Sequence, residues 1–412
     1  MRVAFLLGEF PSLSETFILN QITALIDRGH RVSIFAERSP RDAMAHPAVA
    51  QYDLLAITRY ERLPAGLWPR LTGLPAIWRW RRSMWRALNV FRYGRDAASL
   101  RLAWAVAMVH QHAEFDIIQC HFGALGLKAV LLRDAGAISG RVVTAFHGED
   151  ITNYPRQFAA GHYAPLFAEG DLFQPISARW NDALAALGCP MHRVRVHRMG
   201  VETAKYPPRD AIRMDDRPIR VLAVARLVAK KGLHDAIRAV AQLQIACEFV
   251  IVGEGPLRAS LQALANELHM EHVIRFTGPL TRSEIAALLQ TTDIFLAPSV
   301  TASDGDIEGI PVAIMEAMAA EIPVVSTRHS GIPELVQDCI SGFLLEEGDV
   351  RGLADRLSQL ACDASLRAQL GAAGRRIVVQ DFDAHTLTDR LIASYEELLR
   401  APCLAQSRHG PG

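Results

Sequence analysis

In "EGIPVAIME" two carboxylates, Glu308 and Glu316, stand on either side of an apolar run that contains Pro311. A proline suits the first turn of a helix, where its missing N–H would have been unpaired anyway. Glu308 then sits on the loop at the helix mouth, and Glu316 lies about two turns in. One acid can face a ligand at the tip while the other reaches along the helix side. The free N–H groups at that tip favour an anion such as phosphate. Upstream, "VARLVAKKG" supplies Arg226 and Lys231. Two fixed cations beside a helix N-terminus suit a diphosphate, because they neutralise charge that builds on it when it leaves. The stretch "VGEGP" adds Gly253 and Gly255, which would let the backbone approach a ligand closely. His147 in "TAFHGEDI" follows a strand ending, and a lone histidine there also fits a satisfied core residue. Each of these signals taken singly also fits a solvated helix face or a chance glycine pair.

The elements that must position these side chains alternate along the chain. Short β-branched runs recur with amphipathic segments between them, which reads as parallel sheets with helices on both faces. In the first half the expected strands are "RVAFLL", "RVSIFA", "DIIQC", "RVVTAF", "DLFQPIS" and "RVRVH". Ser14 is expected to cap a helix over "SETFILNQITALIDRG" that stops at Gly29. A polar, proline-bearing stretch over 199–218 reads as the interdomain linker. The alternation then restarts with "IRVLAVA", "CEFVIVG", "VIRFTG", "DIFLAPS" and "IPVVST". The fold class is therefore α/β, with each half a doubly wound domain whose ligands sit outside the carboxyl ends of the strands. The tail after Arg400 is expected to fray.

Length and composition agree with this division. The chain has 412 residues, 50% hydrophobic and 21% charged, enough to bury large cores, and two domains are expected. Lys+Arg and Asp+Glu both total 44, so no global charge drives the chain toward nucleic acid. The cysteines (Cys120, Cys189, Cys247, Cys339, Cys362, Cys403) are scattered without metal-ligand spacing, and reduced thiols of a cytoplasmic protein are the plain expectation. The opening "MRVAFLLGEFP" meets Glu9 too early for an export signal. No run reaches the ~20 apolar residues that span a bilayer.

The second half resembles glycosyltransferase family 4, also called group 1. "EGIPVAIME" is similar to its paired-glutamate motif, and "ARLVAKKG", "VGEGP", "FTGPL" and "GIPELV" match its other landmarks in order. The first half, with "FPSLSETFILNQI", "HFG" and "FHGEDI", resembles the branch that builds colanic acid and other bacterial exopolysaccharides. Many relatives carry a Gly-Gly turn near the N-terminus, where this chain has "GEFPSLSET" with the single Gly8.

The resemblance implies a GT-B fold: two Rossmann-like doubly wound domains facing a central cleft. Residues 1–200 would bind the acceptor and 201–382 the donor, with the final helix over 383–400 packing back on the first domain. The donor would be a nucleotide-diphosphate sugar, with no cofactor and no metal in the chemistry. Arg226 and Lys231 would hold the diphosphate, Glu316 the ribose and Glu308 the sugar hydroxyls, with Gly253, Gly255, Gly309, Ile310 and Pro311 completing the donor site. His147 would contact the donor sugar near its anomeric centre. Glu149 and Asp150 read equally as acceptor contacts or as solvated loop acids. The family retains anomeric configuration, and no residue here is an obvious nucleophile for double displacement. The expected activity is therefore sugar transfer, by same-face substitution, onto a lipid-linked or oligosaccharide acceptor in exopolysaccharide synthesis. An epimerase-like enzyme of the same fold, or an inactive scaffold subunit, are the alternatives. The scaffold predicts loss of one of the four charged residues, and all four are present. A phosphorylase would need a pyridoxal-phosphate lysine site, for which no motif is visible.

Between residues 68 and 104 lie Trp68, Trp78, Trp80, Trp85 and Trp104 with Arg70, Arg79, Arg81, Arg82, Arg86, Arg92 and Arg95. As one helix this places Ile77, Trp80, Met84, Leu88 and Phe91 on one face and Arg79, Arg82 and Arg86 on another. Such a helix would lie on the anionic inner face of the cell membrane. A core helix with a solvated basic face is the plainer alternative. No nucleic-acid recognition motif accompanies the segment.

Overall fold

The computed structural model describes residues 1–12, 15–40, 46–77, 81–109, 114–209 and 217–402. The cap expected at Ser14, the linker stretch 210–216, Trp78, Arg79, Trp80 and the tail with Cys403 lie outside the described residues. The chain divides into two compact units, Met1–Arg198 with Thr388–Gly412, and Met199–Leu387.

The first unit is built on a six-stranded parallel sheet of β1 (Arg2–Glu9), β2 (Arg31–Arg38), β3 (Thr58–Tyr60), β4 (Glu114–His121), β5 (Ser139–Phe146) and β6 (Leu172–Pro175), in the order β3-β2-β1-β4-β5-β6. The second repeats that order with β7 (Ile219–Val224), β8 (Cys247–Val252), β9 (Ile274–Gly278), β10 (Ile294–Ala297), β11 (Val324–Thr327) and β12 (Gly342–Leu345), laid out as β12-β11-β10-β7-β8-β9. In both, the strand order reverses beside the first strand, which opens a crevice at the carboxyl ends of the two central strands. Val3 to Leu7 are all buried, because a parallel sheet is covered on both faces and needs an unbroken apolar run. In the second unit successive residues go to opposite layers: Val221, Phe249 and Ile294 on one side, Leu222, Val250 and Phe295 on the other.

Three elements depart from the expected set. β3 and β12 are short edge strands with no distinctive run. "RVRVH" forms no strand: Arg195 N–H and His197 N–H donate to Phe173 O and Pro175 O at 2.9 and 3.0 Å, but Pro175 has no N–H to return.

The last helix, Ala384–Arg400, brings Leu391 and Tyr395 into the first unit's core beside Phe5 and Ile117. The Tyr395 hydroxyl donates to Gln119 Oε1 at 2.7 Å inside that core.

The single amphipathic helix expected through Ile77–Phe91 does not form. The segment holds helices Leu67–Ile77, Arg81–Ala87 and Val90–Ala98. Asn89 accepts from the N–H groups of Phe91 and Arg92 and starts a new helix, which resets the face. Met84 is fully buried and Phe91 fully exposed, so the two cannot share a side. Arg70 is held by Pro64 O and Ser99 O, and Arg92 by Asp134, so part of the expected basic face is used within the fold.

Candidate functional site

In the second unit the loops after β7 and β10, neighbours at the strand-order reversal, carry Lys231 and Glu308. The short turn Ala229–Lys231 ends on Gly232 at φ 62°, where a Cβ would fall 1.8 Å from Pro298 O. Only glycine lets the lysine turn press so closely on the chain leaving β10. Lys231 and Glu308 are thereby brought into an ion pair, and Lys230 pairs with Asp306 at 3.0 Å. Burial alone would push the Glu308 carboxyl up, but the adjoining Lys231 ammonium, with Lys230 behind it, holds it below the usual value. An ammonium has three donors, so Lys231 keeps hydrogen-bonding capacity for a second anion. Arg226 is exposed just past β7 and makes no ion pair among the described residues.

A third residue fixes the Glu308 loop. His329, buried just past β11, accepts from the Glu308 N–H at Nε2 (2.9 Å) and meets Glu347 Oε1 at Nδ1 (2.5 Å). Glu347 also takes the Thr301 N–H at 2.7 Å, tying the far end of the same loop. Pro311 stands at the cap position of the helix Val312–Ala319 rather than inside its first turn, and no side chain caps that N-terminus. Glu316, within the helix, accepts from the Tyr206 hydroxyl at 2.7 Å. Burial pushes the Glu316 carboxyl up, offset only in part by Tyr206 and by Arg282.

Three expected donor-site residues sit differently from their reading. Ile310 is buried in the core, so it can offer a ligand only its backbone. At Gly253, φ is 134° and a Cβ would lie 1.9 Å from Ala225 O. At Gly255 a Cβ would lie 2.5 Å from Leu227 O. The space these glycines free is taken by the loop that carries Arg226, to which theirs is joined through Leu227 N–H and Glu254 O at 2.9 Å. Their need is loop-to-loop packing. Gly309 N–H turns back to Glu308 Oε1 at 3.3 Å.

In the first unit His147 follows β5, half-buried between the rings of Phe17 and Phe122 at 4.9 and 4.7 Å. Its Nε2 lies 3.1 Å from His121 Nδ1, and His121 Nε2 lies 2.9 Å from Gln21 Oε1. The Gln21 oxygen can only accept, so His121 carries its proton on Nε2, takes the His147 Nε2 proton at Nδ1, and leaves His147 Nδ1 bare. Burial lowers His147 to about 3, so the ring is neutral. Asp150 is not a solvated acid. It is buried and accepts from the N–H groups of Gly123, His147 and Gly148 at 2.9 to 3.0 Å, which shapes the loop around His147.

The family described as "Glycosyl transferases group 1" matches residues 208–377, and the one described as "Glycosyltransferase Family 4" matches 14–205. Over 405 residues, 95% of this chain and 98% of the relative, the chain is 41% identical to WcaL of Salmonella typhimurium, a glycosyltransferase named for colanic acid biosynthesis. The chain belongs to the group 1 glycosyltransferases.

A second member of this glycosyltransferase family, the amylovoran biosynthesis glycosyltransferase AmsK of Erwinia amylovora, is 39% identical over 97% of this chain and all of its own length. Among solved structures, Anabaena HepE in complex with UDP and glucose superposes with a TM-score of 0.71 at 18% identity, covering 96% of this chain and 100% of that one. Sucrose-phosphate synthase from Thermosynechococcus elongatus gives 0.70 at 18%, covering 98% and 100%. The fold is GT-B, with two Rossmann-like units. Within this glycosyltransferase the structure brings Lys231 against Glu308 and sets Glu316 further along the helix that follows Glu308, while His147 belongs to the other unit with its own surroundings. Sequence reasoning missed Tyr206, His329, Glu347, His121 and Gln21 as positioning groups. His329 was within reach, two residues before "GIPELV", whereas Tyr206 in the linker carried no signal.

Proposed function

We propose that this glycosyltransferase moves a sugar from a nucleoside diphosphate sugar, with retention of anomeric configuration, onto a lipid-linked intermediate in exopolysaccharide assembly. The observation that carries the reading is the Lys231–Glu308 pair at the mouth of an uncapped helix, beside exposed Arg226. A diphosphate there meets cations and unpaired helix N–H groups, while Glu308 is kept ionised to accept hydrogen bonds from sugar hydroxyls. Glu316, steadied by Tyr206, takes the ribose hydroxyls. His147 offers an unprotonated nitrogen to the donor sugar.

In the reaction the bond from the anomeric carbon to the phosphate oxygen breaks and its electrons go to the diphosphate. The acceptor oxygen bonds to the same face of that carbon, and its proton passes to the departing phosphate. Lys231 and Arg226 stabilise the charge that develops there. Relatives named for colanic acid and amylovoran synthesis support an exopolysaccharide role, and HepE crystallised with UDP and glucose supports a nucleotide-sugar donor.

Membrane contact belongs to the same proposal. No described helix is long and apolar enough to cross a membrane. Trp68, Trp85 and Phe91 are 75, 64 and 100% exposed on the Arg-bearing helices, which suits shallow insertion among anionic headgroups at the cytoplasmic face. The deciding experiment supplies purified protein with a panel of nucleoside diphosphate sugars and lipid-extracted acceptor and reads the product's anomeric proton by NMR. Retention supports the reading, and an inverted product rejects the mechanism.

A further inference from the structure

A cavity of 830 Å³ opens in the first unit beyond the carboxyl ends of its strands. Its lining comes from the carboxyl ends of β1 and β2, the stretches after β3, β4 and β5, and the helices Val90–Ala98, Arg101–Val109 and Gly123–Asp134, at the end of the sheet where doubly wound folds hold ligands. Its volume falls within the range of small-molecule sites, roughly 300 to 1,000 Å³. Two features of the lining define what it can take.

The first is a fixed polar triad. Lys128 is ion-paired to both Glu37 and Glu61, the former at 2.7 Å. The Glu61 side chain is only 4% exposed, whereas Glu37 keeps 41% of its side chain open to the cavity side. With its charge met by two carboxylates, Lys128 adds no net attraction for an anion. Across the whole lining five carboxylates stand against three cations, so the cavity is acidic. The second feature is an aromatic wall. Phe158 and His162 stack at 3.9 Å with an interplanar angle of 9°, and Tyr154 meets Phe158 at 4.8 Å. All three line the cavity, and Phe158 is 42% exposed. Burial holds His162 below its ordinary pKa, against the opposing pull of Asp96, which disfavours a cation in the wall.

An aromatic face attracts the slightly positive C–H bonds of a pyranose ring, while carboxylates accept from its hydroxyls. An acidic, preorganised pocket repels a uronate or a phosphate at the same place. We infer that this cavity binds the non-reducing end of the acceptor glycan and selects an uncharged sugar there, with the ring on Phe158 and its hydroxyls on Glu37. The anionic part of the acceptor, whether uronate or lipid diphosphate, stays outside. The inference rests on the transferase reading above, and it assigns that enzyme a substrate class.

The test uses the full chain and saturation-transfer NMR with methyl glycosides of glucose, galactose, mannose and fucose, set against methyl glucuronoside and galacturonoside. At least one neutral glycoside should saturate through its ring C–H protons and bind at least about tenfold tighter than either uronoside. Phe158→Ala should abolish that signal while UDP or GDP still raises the melting temperature of the same variant. His162→Ala serves as a second probe should Phe158→Ala fail to fold. Uronosides binding as well as neutral sugars, or an unchanged signal in the folded variants, would overturn the inference. So would silence from every glycoside on protein that still binds nucleotide, and that result would leave the transferase reading standing. Loss of nucleotide binding by the wild type would instead sink the transferase reading.

Discussion

Lys231 and Glu308 form an ion pair between the loops that leave β7 and β10, the two neighbouring strands where the second sheet reverses its order. The pair joins the group proposed to hold the departing diphosphate to the group proposed to hold the sugar. Removing either side chain therefore changes two things at once. Lys231→Ala should lower kcat about 10²–10³-fold, the scale of losing one transition-state donor. Nucleotide binding should weaken about tenfold at most. Steady-state kinetics with a binding isotherm on the same variant checks this, and an unchanged kcat would remove the cation from the mechanism.

The two glutamates should respond to pH in opposite senses. Glu308 has a lowered pKa in the fold, so its carboxylate adds stability that is complete above 4.5 and fades as pH falls through the folded value. Glu316 is raised, so its ionisation costs stability as pH climbs from 4.5 through the folded value. Denaturant midpoints over about pH 4 to 7 should show Glu308→Gln losing most at neutral pH. Glu316→Gln should gain there, even as it loses nucleotide affinity. Parallel curves for the two variants would contradict the assignment.

His147 titrates at about 3 in the fold against an ordinary 6.5, so it is neutral throughout the working range. The pH–rate profile should then show no histidine step between about pH 5.5 and 7.5 that His147→Ala removes. The same depression means the fold loses stability as pH drops below 6.5, where the unfolded ring takes up a proton first. His147→Ala should reduce kcat/KM about 10- to 100-fold, one hydrogen bond to the sugar, and Gln21→Leu should reduce it less by freeing the tautomer.

Glycine replacements separate packing from ligand approach. Gly253→Ala would put a Cβ 1.9 Å from Ala225 O at φ 134°, and should destabilise the second unit by at least about 3 kcal/mol. Gly8→Ala has nothing within 4 Å and should leave the melting temperature unchanged. Equal melting temperatures for the two variants would refute the loop-packing account.

Liposome flotation tests the exposed aromatics. Wild type should float with anionic vesicles at low salt and less so at high salt, and a Trp68→Ser, Trp85→Ser, Phe91→Ser triple variant should stay at the bottom. Wild type that fails to float at low salt ends the membrane proposal.

Much of this was legible in the sequence because parallel strands buried on both faces leave unbroken apolar runs, as in "RVAFLL" and "CEFVIVG". The charged residues at the strand ends were legible for the same reason: a strand fixes which loop follows it. Two of the four edge strands, Thr58–Tyr60 and Gly342–Leu345, were not, because neither short segment carries a distinctive β-branched run. Nor were the groups that steady the charges. Tyr206 reaches Glu316 across 110 positions, and His121 reaches Gln21 across 100, and no local period reports such partners. The reading of Ile77–Phe91 as one helix failed because a single capping residue, Asn89, outweighs hydrophobic periodicity at a helix start.

The helix Ala384–Arg400 carries a consequence for the order in which the protein is made. The sheet of the first unit receives Leu391 and Tyr395 only from a segment that leaves the ribosome after the whole of the second sheet. At ordinary translation speeds the seat for those side chains stands open for on the order of tens of seconds. During that interval Phe5 and Ile117 lie beneath an unroofed apolar slot. A lesion near the carboxyl terminus would thus damage the half of the molecule most distant from it in the gene.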